Sequence, residues 1–190
     1  MNADDIRSMV ADSLALKQRF FGENAALLLD VGRRMAESLN AGGRLLAFGN
    51  GGSAADAQHF VAELVVRLDR ARRALSAIAL TTDPSVVTAA SNDLGYEAVF
   101  RRQVEAHGRP GDFALGISTS GRSPSVVEGL RTARTLGLRT VGLTGNGGAA
   151  VAGLVDDLID VPHADTQRIQ EVHGMVLHLL AEIIEQAARG

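Results

Sequence analysis

The chain has 190 residues, of which 46% are hydrophobic and 22% charged, and its formal net charge is −3. This is ordinary globular composition at a single-domain length, enough for one core to bury about 70% of the unfolded chain's surface. The absence of cysteine excludes a disulfide scaffold, a thiolate metal site and a cysteine nucleophile, and slight acidity with six Phe, one Tyr and no Trp argues against nucleic acid or anionic membrane as a partner.

The chain opens on Met1-Asn2-Ala3-Asp4-Asp5-Ile6-Arg7, acidic where a secretory leader is basic, and no apolar core of leader length follows. The longest early apolar run, Ala25 to Leu29, is far short of a membrane span. These features predict a soluble cytoplasmic protein. Residues 3–40 read as helical, with Leu27, Val31, Met35 and Leu39 at helical spacing and a break expected near Phe21-Gly22-Glu23-Asn24. Ala41-Gly42-Gly43 supplies C-cap chemistry. Short apolar runs of buried-strand type follow at Arg44 to Phe48, Ser76 to Leu80, Asp112 to Ile117, Thr140 to Leu143 and Leu158 to Val161. Helical patterns separate them over 53–68, 85–106 with a break near Asn92-Asp93, 124–136 and 148–155, and a last helix is expected from Thr166 to Ala188. Alternation of this kind predicts an α/β fold, a parallel sheet with helices on both faces. No linker divides the chain, so residues 1–190 read as one domain, a helical segment over 1–40 and an α/β body over 41–190.

In open α/β sheets, ligands sit beyond the carboxyl ends of the strands. The first such loop is Gly49-Asn50-Gly51-Gly52-Ser53. Its glycines permit close backbone approach, and Ser53 reads as an N-cap with Asp56 as a capping-box analogue. The loop suits either a tight turn or an anion cradle, and it fits neither the dinucleotide nor the P-loop pattern. The second loop is Ser118-Thr119-Ser120-Gly121-Arg122-Ser123-Pro124. Pro124 at the first helical position makes Ser123 the N-cap, and hydroxyls crowded at a positive helix end suit a phosphate monoester. Gly145-Asn146-Gly147-Gly148 echoes the first loop and reads as structural turn chemistry.

His59 and Glu63 stand four apart and share a helical face. The last helix adds Gln170, Glu171, His173 and His178. His173 and His178 are about 140° apart around the axis, so one site cannot easily hold both, and Gln170 lies about 60° from one and about 80° from the other. Spacing leaves open which histidine joins Gln170. Two imidazoles, a carboxylate and an amide oxygen would suit zinc or a similar divalent ion.

The run Gly49-Asn50-Gly51-Gly52-Ser53-Ala54-Ala55-Asp56-Ala57-Gln58-His59 resembles the bacterial phosphoheptose isomerases, enzymes of the sugar-isomerase (SIS) domain family that act on sedoheptulose 7-phosphate. The resemblance continues in order through Ala62-Glu63-Leu64, Ser91-Asn92-Asp93-Leu94-Gly95-Tyr96 and Gly116-Ile117-Ser118-Thr119-Ser120-Gly121, and ends on Arg168-Ile169-Gln170-Glu171-Val172-His173 and His178. It implies a flavodoxin-like SIS fold with a five-stranded parallel sheet, and a homotetramer with sites at subunit boundaries. It implies zinc held by His59, Glu63, Gln170 and His178, with His173 left to packing or a hydrogen bond. It assigns substrate contacts to Asn50, Gly51, Gly52, Ser53, Glu63, Asn92, Asp93 and Gln170, and the phosphate loop to Ser118, Thr119, Ser120 and Ser123. Gln167 departs from members that carry Asp there, which leaves a carboxylate role at that point in doubt.

The activity implied is isomerisation of D-sedoheptulose 7-phosphate to D-glycero-D-manno-heptose 7-phosphate through a cis-enediol, the first step of nucleotide-activated heptose synthesis. Such a reaction needs a base over C1 and C2 and an acid for the oxygens. The resemblance offers Glu63 as base and His178 as its partner, and leaves open whether Glu63 is base, metal ligand or both. Two rivals remain: a non-catalytic SIS module that binds the replication initiator, which would have no use for Glu63 and His178, and an isomerase of another sugar phosphate.

Overall fold

The computed structural model describes residues 1–188. Five strands, β1 (Leu45–Gly49), β2 (Ala77–Ala79), β3 (Phe113–Ser118), β4 (Arg139–Gly145) and β5 (Asp157–Val161), pair in the order β2-β1-β3-β4-β5. Every pairing is parallel. Successive strand residues face opposite sides of a sheet. Leu45 and Ala47 therefore enter one core with Phe113, Leu115, Val141 and Leu143, whereas Leu46 and Phe48 enter the other with Ala114. Both faces are covered, which is why β1 and β3 read as unbroken apolar runs.

Helices α1 (Ala3–Asn40), α2 (Gly52–Val65) and α7 (Thr166–Ala187) supply the first core. Helices α3 (Pro84–Leu94), α4 (Ala98–His107), α5 (Pro124–Thr135) and the short α6 (Ala149–Ala152) supply the second. The flavodoxin-like arrangement expected from the sequence is thus present, with α1 as the added helical N-terminus.

Several boundaries differ from expectation. α1 is one helix of 38 residues, with no break near Gly22. A helical Gly is about 1 kcal/mol worse than Ala. Burial of Phe20, Leu28, Val31 and Met35 on one stripe outweighs that, and Asn24 Nδ2 donates to the Phe20 carbonyl across the glycine. An Asn2–Asp5 capping box starts the helix. The α3–α4 break falls at residues 95–97, not at Asn92-Asp93, which are still helical. α6 spans four residues rather than the eight of 148–155.

α2 ends at Val65 instead of 68, because the chain then turns to meet α7. Glu185, buried on the last turn of α7, accepts the backbone N–H groups of Leu68, Asp69 and Arg70 at 2.9–3.0 Å and pairs with Arg72 Nε at 3.3 Å. Burial pushes the Glu185 carboxyl up, but the N–H groups of Arg70, Asp69 and Leu68 and the Arg72 guanidinium outweigh it, and the net shift is downward. Arg72 also donates to the carbonyls of Glu63 at 2.6 Å and Leu64 at 2.9 Å, which closes the C-terminal turn of α2. The turn that carries Glu63 is thereby tied to α7.

Candidate active site

The first two loops meet beyond the carboxyl ends of β1 and β3. They enclose a cavity of about 170 Å³ lined by Asn50, Ser53, Ile117, Ser118, Thr119, Ser120 and Ser123. Ser123 sits at the N-cap of α5 with Pro124 following, as expected, but its hydroxyl makes no capping bond. That oxygen instead accepts from Asn50 Nδ2 at 2.8 Å. The positive end of α5 faces this polar pocket, an arrangement suited to a phosphate dianion. The third glycine loop buttresses the second: Ala150 N–H bonds the Gly121 carbonyl at 3.1 Å, and a Cβ on Gly121 would stand 2.2 Å from the Gly148 carbonyl oxygen. No side chain larger than hydrogen fits at Gly121 without moving that backbone.

Ser53 is not the N-cap of α2. The helix starts at Gly52 on Gly51, with no side-chain cap, and Ser53 N–H bonds the Asn50 carbonyl at 3.0 Å. Nor does Asp56 close a capping box. It points across to α7, where Gln170 Nε2 approaches it at 3.4 Å. Burial pushes the Asp56 carboxyl above its ordinary range, against the opposing pull of the Gln170 bond and the His59 ring. Gln170 crosses α2 at its first residue: a Cβ on Gly52 would lie 2.1 Å from Gln170 Nε2, so glycine there permits the crossing.

Further along α2, His59 Nε2 lies 3.1 Å from Glu63 Oε1. Against His59 stands the His178 ring, edge to face, with centroids 4.9 Å apart. His173 faces the other way. It is fully buried, and its Nε2–H donates to the Thr144 carbonyl at 2.9 Å. Burial pushes its pKa down to about 4, although the Thr144 bond and the Asp160 carboxylate act in the other direction. The helix rotation that spacing left open is therefore the one that sets His178 beside His59.

A family model described as "SIS domain" matches residues 10–145. A phosphoheptose isomerase from Roseiflexus sp. is 52% identical over 174 residues, 92% of this chain and 88% of its own length. The solved phosphoheptose isomerase from Neisseria gonorrhoeae superposes with a TM-score of 0.91 at 39% identity, covering 96% of this chain and 98% of that one. The chain belongs to the phosphoheptose isomerases of the SIS domain family. A second solved phosphoheptose isomerase, from Francisella tularensis, gives a TM-score of 0.94 at 34% identity, over 98% of this chain and all of that one.

Set against the phosphoheptose isomerase pattern, most expected site residues gather in two places. Asn50, Ser53, Ser118, Thr119, Ser120 and Ser123 line the cavity, with Gly51 and Gly52 in its loop. His59, Glu63 and His178 form the second cluster, and Gln170 lies between the two, against Gly52 and Asp56. Asn92 and Asp93 stand apart, exposed on the last turn of α3 and bonded to each other at 2.7 Å.

The donor types of the second cluster suit a divalent ion. They are not drawn together as a finished ligand shell: among the described residues no three His, Cys, Asp or Glu side chains converge as one would require. His59 Nε2 is engaged by Glu63, and Gln170 lies about 12 Å along α7 from His178. Two residues quoted in the motif runs, Asp56 and Tyr96, join the site although neither takes a role there from the sequence alone. Asp56 lies on the same helical face as His59 and Glu63, a spacing that could have marked it. Tyr96, whose hydroxyl bonds Asn50 at 2.8 Å, carries no local signal, because the contact joins distant loops.

Proposed function

We propose that this chain is an aldose–ketose isomerase that converts D-sedoheptulose 7-phosphate to D-glycero-D-manno-heptose 7-phosphate through a cis-enediol. One observation carries the reading: α2 starts in the loop of a hydroxyl-lined anion cavity and, two turns on, presents a carboxylate and an imidazole beside a second imidazole from α7. The cavity anchors the phosphate, which holds the far end of the sugar and contributes orientation at the reacting carbons. Glu63 takes the proton from C1 of the ketose and returns one to C2, while His178 carries the compensating protons between the two oxygens. His59 holds the Glu63 carboxylate in place from one side, and the Arg72 bonds hold its helix turn from the other.

His59, Glu63, Gln170 and His178 supply the donor types that would hold a zinc ion, once His59 turns from Glu63 and the Gln170 and His178 side chains are drawn toward one point. Bound there, zinc would polarise the carbonyl and stabilise negative charge on oxygen. The active assembly is a homotetramer with sites at subunit boundaries. Exposure of His59 and His178, and of Val66 and Met175 near them, supports a second copy covering this face. No helix among the described residues is long and apolar enough to cross a membrane, and the cytoplasm is the compartment proposed. A non-catalytic binding module is disfavoured, since it would need neither the Glu63–His59 pair nor the His178 ring against it.

Incubation with sedoheptulose 7-phosphate, with pentose and hexose ketose phosphates, and with dephosphorylated sedoheptulose tests the assignment. Aldose formation from the first alone is expected. Turnover confined to a shorter sugar phosphate would move the substrate assignment, and none on any would return the chain to the binding-module reading.

A further inference from the structure

We infer that Tyr96 is a positioning residue for phosphate: it orients Asn50 so that the Ser123 hydroxyl turns its proton into the anion cavity. The inference rests on the proposed function in taking that cavity as the phosphate site. Tyr96 lies in the short α3–α4 connection, pinned by the Ala98–Gly95 and Val99–Tyr96 backbone bonds at 3.0 and 3.2 Å. Its ring lines a cleft of about 100 Å³ together with Val87, Val99 and Phe100, which aims the hydroxyl at the β1–α2 loop.

The hydrogen-bond order runs in one direction. The Tyr96 hydroxyl donates to Asn50 Oδ1 at 2.8 Å. With Oδ1 so engaged, the amide presents its two hydrogens to Ser123 Oγ at 2.8 Å and Ser125 Oγ at 2.9 Å. Each serine therefore accepts, and each keeps its own proton to donate. Ser125 is buried beside Ser123, with the two oxygens 3.3 Å apart, while Ser123 lines the cavity. With Ser125 as the donor of the 3.3 Å bond between the two hydroxyls, the Ser123 proton is left for a phosphate oxygen, where the bond is charge-assisted.

Without the Tyr96 hydroxyl, the carbonyl end of Asn50 loses the donor that holds it away from the serines. Turned over, Asn50 would offer its carbonyl oxygen to the serines, and their protons would point at it rather than at the ligand. One phenolic donor on the neighbouring connection therefore supports the donor polarity of the phosphate loop. An Asn side chain alone, with its two interchangeable ends, would not.

The test is Tyr96→Phe, which keeps the ring and removes only the hydroxyl. Binding of inorganic phosphate, followed by calorimetry, is expected to weaken about tenfold. KM for sedoheptulose 7-phosphate should rise by a similar factor while kcat changes less than about twofold. In a Ser123→Ala background the same substitution should have little further effect on phosphate, because its influence runs through that hydroxyl. Equal phosphate affinity of wild type and Tyr96→Phe would overturn the inference, as would an undiminished loss in the Ser123→Ala background or a wild type that binds no phosphate. If phosphate binding weakens as expected but no variant, wild type included, isomerises the heptulose phosphate, the positioning role stands and the proposed reaction falls.

Discussion

His173 and His178 share a helix but sit in different media, and their chemistry divides accordingly. The buried His173 ring is neutral, with Nε2–H on the Thr144 carbonyl. Its folded pKa, about 4, lies below the ordinary 6.5, so the unfolded chain takes up the proton first as pH falls. Its contribution is complete above pH 6.5 and is lost down to about pH 4, by at most ~3 kcal/mol. His173→Ala should lower stability by about 1–3 kcal/mol near neutrality and flatten that acid slope, while leaving metal content unchanged. His178→Ala should instead lose metal and activity with little change in melting temperature. Elemental analysis and melts across pH check both; metal loss in His173→Ala with His178→Ala intact would mean the wrong ring had been placed beside His59. Helical arithmetic alone excluded a shared site but not which ring belonged to it. The rotation of α7 is fixed by Ile169, Val172 and Val176 packing on the sheet, a tertiary fact that spacing does not contain.

Among the elements, α1 shows what local sequence can and cannot report. Isolated propensity at Gly22 favours a break, but the packing of α1 against α7 overrides it. A Cβ at Gly22 meets nothing within 4 Å, so Gly22→Ala should stabilise by about 0.5–1 kcal/mol, a rise of about 1–4 °C in melting temperature. Gly32 is the opposite case. A Cβ there would lie 2.8 Å from Ile183 Cγ2 at the α1–α7 contact, and Gly32→Ala should cost about 1–3 kcal/mol through overpacking. Thermal unfolding of the two variants gives shifts of opposite sign if this account of α1 holds. Strand positions were more legible, since a parallel sheet covered on both faces needs continuous apolar runs. The cap of α2 was not: Ser53 has the right chemistry, but the glycine pair moves the cap two residues earlier, to Gly51, and frees the hydroxyl for the cavity.

At the scale of the molecule, the alternation of strands and helices made the fold readable, while the proposed assembly rests on a weaker trace. Ile6, Met9, Val10 and Leu14 are exposed along the first half of α1, although Arg168 bonds the Met9 carbonyl and Ser13 bonds Glu171 to hold that half on α7. In water such a stripe favours association. Light scattering should give the mass of four 19.9 kDa chains, and a stable monomer at micromolar concentration would contradict the tetramer. The site's two clusters were visible as motifs, yet their meeting depends on α2 and α7 lying side by side, which no local pattern encodes. Proton transfer by Glu63 is the central claim. The most direct measurement follows the C1 and C2 signals of sedoheptulose 7-phosphate by NMR, with wild type and Glu63→Gln compared under one set of conditions. The account predicts steady appearance of the aldose signal with wild type and a rate lower by about two orders of magnitude or more in a folded Glu63→Gln variant. Equal rates in the two proteins, or no aldose with wild type, would contradict it.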